Sequence, residues 1–120
     1  MYSSISDLKR PFVLQVDASD VGLGAVLSQV GDDGEEHPAA YASRKLFPRE
    51  LKYATIEKED LALKWAVQEF RVYLLGREFT VMSDHQSLQW MKGNMHNARV
   101  VGWLLSLQPY RFVVKHPLAS

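Results

Sequence analysis

Cysteine is absent from the 120-residue chain, which excludes a disulfide-stapled scaffold and any zinc site built on thiolates. No apolar run approaches the roughly 18 residues from which a membrane helix is recognised. The amino terminus has no basic segment followed by an apolar one, so no secretory signal is read there. Net charge of one sign is missing too, because 14 basic and 14 acidic side chains cancel. Without a global basic field, any grip on nucleic acid has to be local or supplied by a neighbouring domain. From these absences we expect an intracellular location, cytoplasmic or nuclear, and no membrane partner. What is present is ordinary: 47% apolar and 23% charged residues suit a folded chain, and 120 residues suffice for one core.

Residues 1–10 (MYSSISDLKR) read as a linker-like tail, and 11–120 as one domain. Phe12 to Asp17 and Gly24 to Gln29 are strand-like runs, separated by a spacer (SDVGLG) whose Asp and glycines suit a tight reversal. Pro38 to Arg44 is a third strand after the loop GDDGEEHP, which makes an antiparallel meander. Thr55 to Leu75 carries the longest helical pattern, with Gly76 as the residue that ends it. A fourth strand (REFTVMSD), two helices (SLQWMKG and ARVVGWLLSL) and a last strand (YRFVVKH) follow. The order β-β-β-α-β-α-α-β predicts an α/β fold with a mixed sheet, in which the helix before strand four allows it to run parallel to a strand of the meander.

Three acids finish or interrupt apolar elements. Asp17 closes PFVLQV, and Asp84 closes FTVMS. On helix 55–75, at about 100° per residue, Ile56, Leu63, Ala66, Val67, Phe70 and Leu74 form one stripe. Glu59 falls inside that stripe, Asp60 at its edge and Glu69 well off it, while Glu57 points away with Lys64, Gln68 and Arg71. A carboxylate on a core-facing stripe is costly unless paired, neutralised or bound to a cation. Each acid has a plainer reading: Glu59 complements a helix N-terminus, Asp17 forms a turn, Asp84 caps the next helix. No lysine or arginine within the two strands offers itself as a partner. A set of oxygen ligands without Cys or His selects a hard divalent cation, Mg²⁺ or Mn²⁺. Paired ions roughly 3.5–4 Å apart are the arrangement used for displacement at phosphorus.

FVLQVDASDVGLGAVLSQ, YATIEKEDLALKWAVQEFRVYLLG and FTVMSDHQSLQWM together resemble the ribonuclease H domain of gypsy-type long-terminal-repeat reverse transcriptases. The similarity continues through ARVVGWLLSLQPYRFVVKH and covers nearly the whole chain from about residue 7. It implies an RNase H-like fold, a five-stranded mixed sheet with three antiparallel strands and flanking helices. It also implies hydrolysis of the RNA strand of RNA–DNA hybrids, within a reverse transcriptase, using two Mg²⁺ ions held by acids. The family acids fall on Asp17, Glu59 and Asp84, which makes these the expected catalytic and metal-binding residues. Asp17 would bridge both ions, with Glu59 on the leaving-group side and Asp84 on the nucleophile side. Ser19, Gly22 and His85 are candidates for contact with the hybrid, and His85 has an alternative as a helix cap. His37, His96 and His116 read as surface residues, and Trp65, Trp90 and Trp103 as packing residues.

The chain departs from the family pattern at one point that matters. Relatives carry a fourth metal-binding acid in a stretch beyond the last strand, whereas residues 85–120 contain no Asp or Glu. Two ions are therefore expected if a fourth ligand is supplied, and otherwise one. Either the sequence is part of a larger polyprotein or it is a shortened copy that has lost catalysis. The alternative function is a catalytically silent RNase H-like module serving as scaffold or interaction domain.

Overall fold

The computed structural model describes residues 9–83 and 85–116, with His85 as backbone only. Most of the expected linker-like segment 1–10 thus lies outside the described residues, as does Asp84. Strands β1 (Phe12–Ala18), β2 (Gly22–Val30) and β3 (Glu36–Lys45) form the antiparallel meander, and β4 (Glu78–Met82) and β5 (Arg111–Lys115) complete the sheet. The order is β3-β2-β1-β4-β5, with β4 parallel to β1 and β5 parallel to β4. The expected five-stranded mixed sheet is the observed one. Pro38, which cannot donate to a ladder, is accommodated because β3 is an edge strand and its register slips between Leu27 and Ser28.

The helical run predicted over 55–75 is two helices, α1 (Thr55–Glu69) and α2 (Arg71–Leu74). They meet at Phe70, whose backbone (φ −103°, ψ 21°) is off the helical values while its ring is wholly buried. Gly76 follows with φ 83°, the left-handed conformation expected of a residue that ends a helix. Helices α3 (His85–Gly93) and α4 (Ala98–Leu107) then sit between β4 and β5 in the chain. Asn97 caps α4, its side chain accepting from the N–H groups of Arg99 (2.9 Å) and Val100 (3.5 Å). Among the described residues no helix is long and apolar enough to cross a membrane.

Helix α1 packs against β1, β2, α3 and α4, and this enclosure decides which side chains are buried. Leu63, Ala66, Val67, Phe70 and Leu74 of the predicted stripe are in the core, joined by Leu61 and Trp65 from another side of the helix. Ile56 and Glu59, the first members of the stripe, are only half-buried. Asp60, placed at the stripe's edge by the sequence, is the acid with no exposed surface among the described residues. A helical wheel assumes one packing partner; here α3 covers the flank on which Asp60 lies.

The connection from β3 to α1 is held by an ion pair the sequence did not announce. Arg44 Nη1 and Nη2 donate to Glu50 Oε1 (2.7 Å) and Oε2 (3.0 Å), and the Phe47 N–H adds a third bond to Oε1 (2.7 Å). These bonds, Arg44's first, hold the Glu50 carboxyl below its usual range despite burial. Arg99 of α4 lies 4.2 Å from the Tyr53 ring centre and also meets Glu57, tying α4 to the start of α1.

Candidate active site

Strands β1 and β4 are adjacent and parallel, with Phe12 level with Phe79 and Gln15 with Met82. Their carboxyl ends therefore emerge side by side, the location where open α/β sheets bind ligands. Asp17 stands two residues past Gln15, opposite Gly24 of β2. A Cβ at Gly24 would meet nothing within 4 Å, so the space beside Asp17 on that strand is open. Asp17 is an exposed residue: β1 is buried over Phe12–Leu14, and the acid near its carboxyl end reaches solvent. What distinguishes Asp17 is its place at the strand end.

One side chain of α1 fastens the helix to this end of the sheet, and a second ties it to α3. Lys58, mostly buried, donates from Nζ to the Asp20 carbonyl at 3.1 Å, in the turn after β1. Asp60 Oδ1 accepts from the Ser87 hydroxyl in the first turn of α3. Glu59 lies between them in sequence and is half-buried. The two fastenings reach, respectively, three residues past Asp17 and three past Asp84. β4 is anchored beyond its last residue as well, by the Ser83 N–H on the Lys115 carbonyl at 3.0 Å. Asp84 itself is not among the described residues, and among those that are, no three His, Cys, Asp or Glu side chains gather closely enough to hold a metal ion.

Ser19 builds the β1–β2 turn. Its hydroxyl accepts from the N–H groups of Gly22 (3.0 Å) and Val21 (3.3 Å). Gly22 stands at a close approach: a Cβ there would sit a tight 3.2 Å from the Arg44 carbonyl oxygen. A shallow depression of about 380 Å³ carries Asp17, Ser19 and Gly22 on one side and Ser43 and Lys45 of β3 on the other. His85 begins α3, and its side chain is not described. His37 and His96 are exposed, and His116 is half-buried. Trp65 and Trp103 are core residues and Trp90 packs against the core, as expected.

Asp60 has a consequence for stability. Burial pushes its carboxyl up to about 7, helped by the negative charges of Glu59 and Glu57 and opposed by the Ser87 hydrogen bond. An ordinary aspartate value of 3.8 in the unfolded chain means the folded state binds the extra proton between that pH and about 7. The stability linked to this proton is complete below the unfolded value and is lost as pH rises through the folded one. Glu50 and Asp33 are shifted downward, so their contributions change at lower pH. In metal-free buffer the melting temperature should therefore fall between about pH 5 and about pH 8. Asp60→Asn should flatten that slope in thermal melts, and parallel slopes for the two proteins would refute the assignment.

Comparison with known proteins identifies the family of the fold. Residues 7–110 match the model of the RNase H-like domain found in reverse transcriptase. The chain belongs to this family. It is 44% identical over 117 residues to the retrovirus-related Pol polyprotein from transposon 297 of Drosophila melanogaster, covering 93% of this chain and 10% of that one. Identity is 45% over 103 residues to the corresponding polyprotein from Drosophila transposon opus, covering 84% of this chain and 10% of that one. This RNase H-like domain thus spans about a tenth of the length of these curated relatives. Among solved structures, the foamy viral protease-reverse transcriptase in complex with RNA/DNA hybrid superposes with a TM-score of 0.70 at 21% identity, over 98% of this chain and 16% of that one. At that identity the likeness establishes the fold, and it is the RNase H-like fold the motifs implied.

Sequence reasoning missed Lys58, Asp60 and Glu50 as buried polar residues of the domain. For Lys58 and Asp60 a signal existed: the run EKED at the head of an otherwise apolar helix places charges around its whole circumference, and α1 is enclosed on several sides. For Glu50 there was none, because its partner Arg44 lies in a different element.

Proposed function

We propose that this domain hydrolyses the RNA strand of RNA–DNA hybrids as part of a retroelement reverse transcriptase. The observation that carries the proposal is the pairing of β1 and β4 in parallel, which brings the strand end bearing Asp17 beside the strand that leads to Asp84. Helix α1, bearing Glu59, is fastened to the same end. Asp17, Glu59 and Asp84 would hold a divalent cation, Mg²⁺ or Mn²⁺. The donor set fits such an ion: it consists of oxygen only, with Asp17 reaching solvent. When bound, the ion supplies charge stabilisation at phosphorus and lowers the pKa of water. One ion is expected from these acids, and a second when a fourth carboxylate is supplied from outside these residues.

The rest of the work falls to the chain itself. Ser19 and Gly22 hold the β1–β2 turn in a shape that leaves the Asp17 carboxylate uncovered, and Lys45 across the depression offers a cation to a phosphate of the hybrid backbone. His85, at the start of α3, is the third candidate for substrate contact. Discrimination of RNA from DNA would rest on the 2′-hydroxyl. With no net charge to draw in a polyanion, tight binding is expected to depend on the remainder of the reverse transcriptase.

The second reading, a silent module, is favoured by the neutral net charge of the chain, 14 basic against 14 acidic side chains, which offers a polyanion no global attraction. Incubation with a labelled RNA–DNA hybrid in Mg²⁺, in Mn²⁺ and in chelator separates the two. Cleavage of the RNA strand that needs the metal and is lost in Asp17→Asn is the expected result. No cleavage in either metal would support the silent module, and equal cleavage by the variant would mean the site lies elsewhere.

A further inference from the structure

Asp60 is an expensive residue for this chain to keep. It has no exposed surface, and among the described residues its Oδ2 has no hydrogen-bond partner. A buried polar atom left half-satisfied lowers stability, and each such atom in a native fold calls for an explanation. Leucine at this position, facing the flank where α3 packs, would avoid the penalty. Oδ1, in contrast, makes one definite bond, to the Ser87 hydroxyl, which is itself buried. That bond joins the second turn of α1 to the first turn of α3 across 27 residues of sequence.

Its position relative to the candidate site is specific. Ser83 is tied to β5 through the Lys115 carbonyl, and Ser87 is tied to α1 through Asp60. Asp84 occurs in the sequence between these two anchored serines. On the other helix, Asp60 is the immediate neighbour of Glu59. The Asp60–Ser87 bond is therefore a side-chain hydrogen bond that links the element bearing Glu59 to α3, the element that follows Asp84 in the sequence. Lys58 does the same for the turn following Asp17, through a backbone carbonyl. A cation shared by carboxylates from three elements binds only as tightly as those elements are held in mutual register.

We infer that Asp60 is a positioning residue, which acts through Ser87 to hold the start of α3 in register with the turn of α1 that bears Glu59. The inference rests on the proposed function for the identity of the site, and it asks nothing of the protonation state of Asp60. Asparagine keeps an acceptor oxygen for Ser87; leucine and Ser87→Ala each break the bond. Loss of an outer-sphere orienting bond typically costs 10–100-fold in metal affinity or activity.

The test compares wild type, Asp60→Asn, Asp60→Leu, Ser87→Ala and Asp60→Leu/Ser87→Ala. Each is first checked for folding by thermal melt, and then titrated with Mn²⁺ by calorimetry and assayed on the hybrid. Ser87→Ala and Asp60→Leu should weaken Mn²⁺ binding and lower kcat per folded molecule by about 10-fold or more with KM for the hybrid unchanged. Asp60→Asn should stay within about 3-fold of wild type in both, and the double variant should be no worse than either single one. If Asp60→Leu fails to fold, Ser87→Ala against Asp60→Asn decides the matter alone. Folded bond-breaking variants with wild-type Mn²⁺ affinity and kcat would overturn the inference and leave Asp60 a packing residue. A wild-type chain that binds Mn²⁺ but does not cut would instead count against the proposed function. The positioning role would then be judged by the binding series, which Ser87→Ala must weaken for it to survive.

Discussion

Glu59→Gln is expected to lower hybrid cleavage by about 100-fold or more, because under the proposed function the substitution exchanges a charged donor oxygen for an amide where the divalent cation would be held. Glu57→Gln, two residues earlier on the same helix, provides the contrast. Glu57 accepts from the Ala54 N–H at 3.1 Å and pairs with Arg99, so its role is to start α1 and tether α4. Its replacement should cost about 1 kcal/mol of stability, the scale of a partly exposed cap and ion pair, and leave kcat within about twofold. Steady-state cleavage and urea unfolding on both variants read the two effects separately. Comparable loss of kcat in the two would mean that the helix, not the carboxylate, is what the chemistry needs.

Phe70→Ala should be among the most damaging single changes to the fold. The ring is wholly buried, belongs to the same cluster as Phe12, Leu14 and Val81, and sits where α1 gives way to α2. Truncating a buried phenylalanine removes about 3–5 kcal/mol, from a total that is usually only about 5–15 kcal/mol for a domain. Urea unfolding should show that loss as a lowered midpoint with little change in slope. A loss under about 1 kcal/mol would show that the α1–α2 junction collapses onto the vacated space, which is the main source of variation in such costs.

Much of the fold was legible before any coordinates. Strands alternate or run apolar between turn residues, and Gly76 marked the end of a helix because the left-handed backbone is open to glycine. The break at Phe70 was invisible. Residues 55–75 contain neither proline nor glycine, and nothing in local propensity distinguishes one helix from two. Phe70 leaves the helical conformation while its side chain stays fully in the core, so packing prevails over local preference there.

The candidate site divides in the same way. The sequence supplied the residue types, their spacing and the family to which they belong, since these depend on the order of side chains alone. It placed Asp17 at a strand end, and the structure keeps it there. It also read Glu59 as the acid facing the core and Asp60 as the edge residue, and on that point packing reversed the order. Whether a helical side chain is buried depends on how many neighbours surround the helix, and α3 comes from the far side of β4 in the chain. Periodicity carries information about one face at a time. The number of faces covered, the Asp60–Ser87 bond across 27 residues and the parallel register of β1 with β4 are long-range facts, set when distant segments pack together.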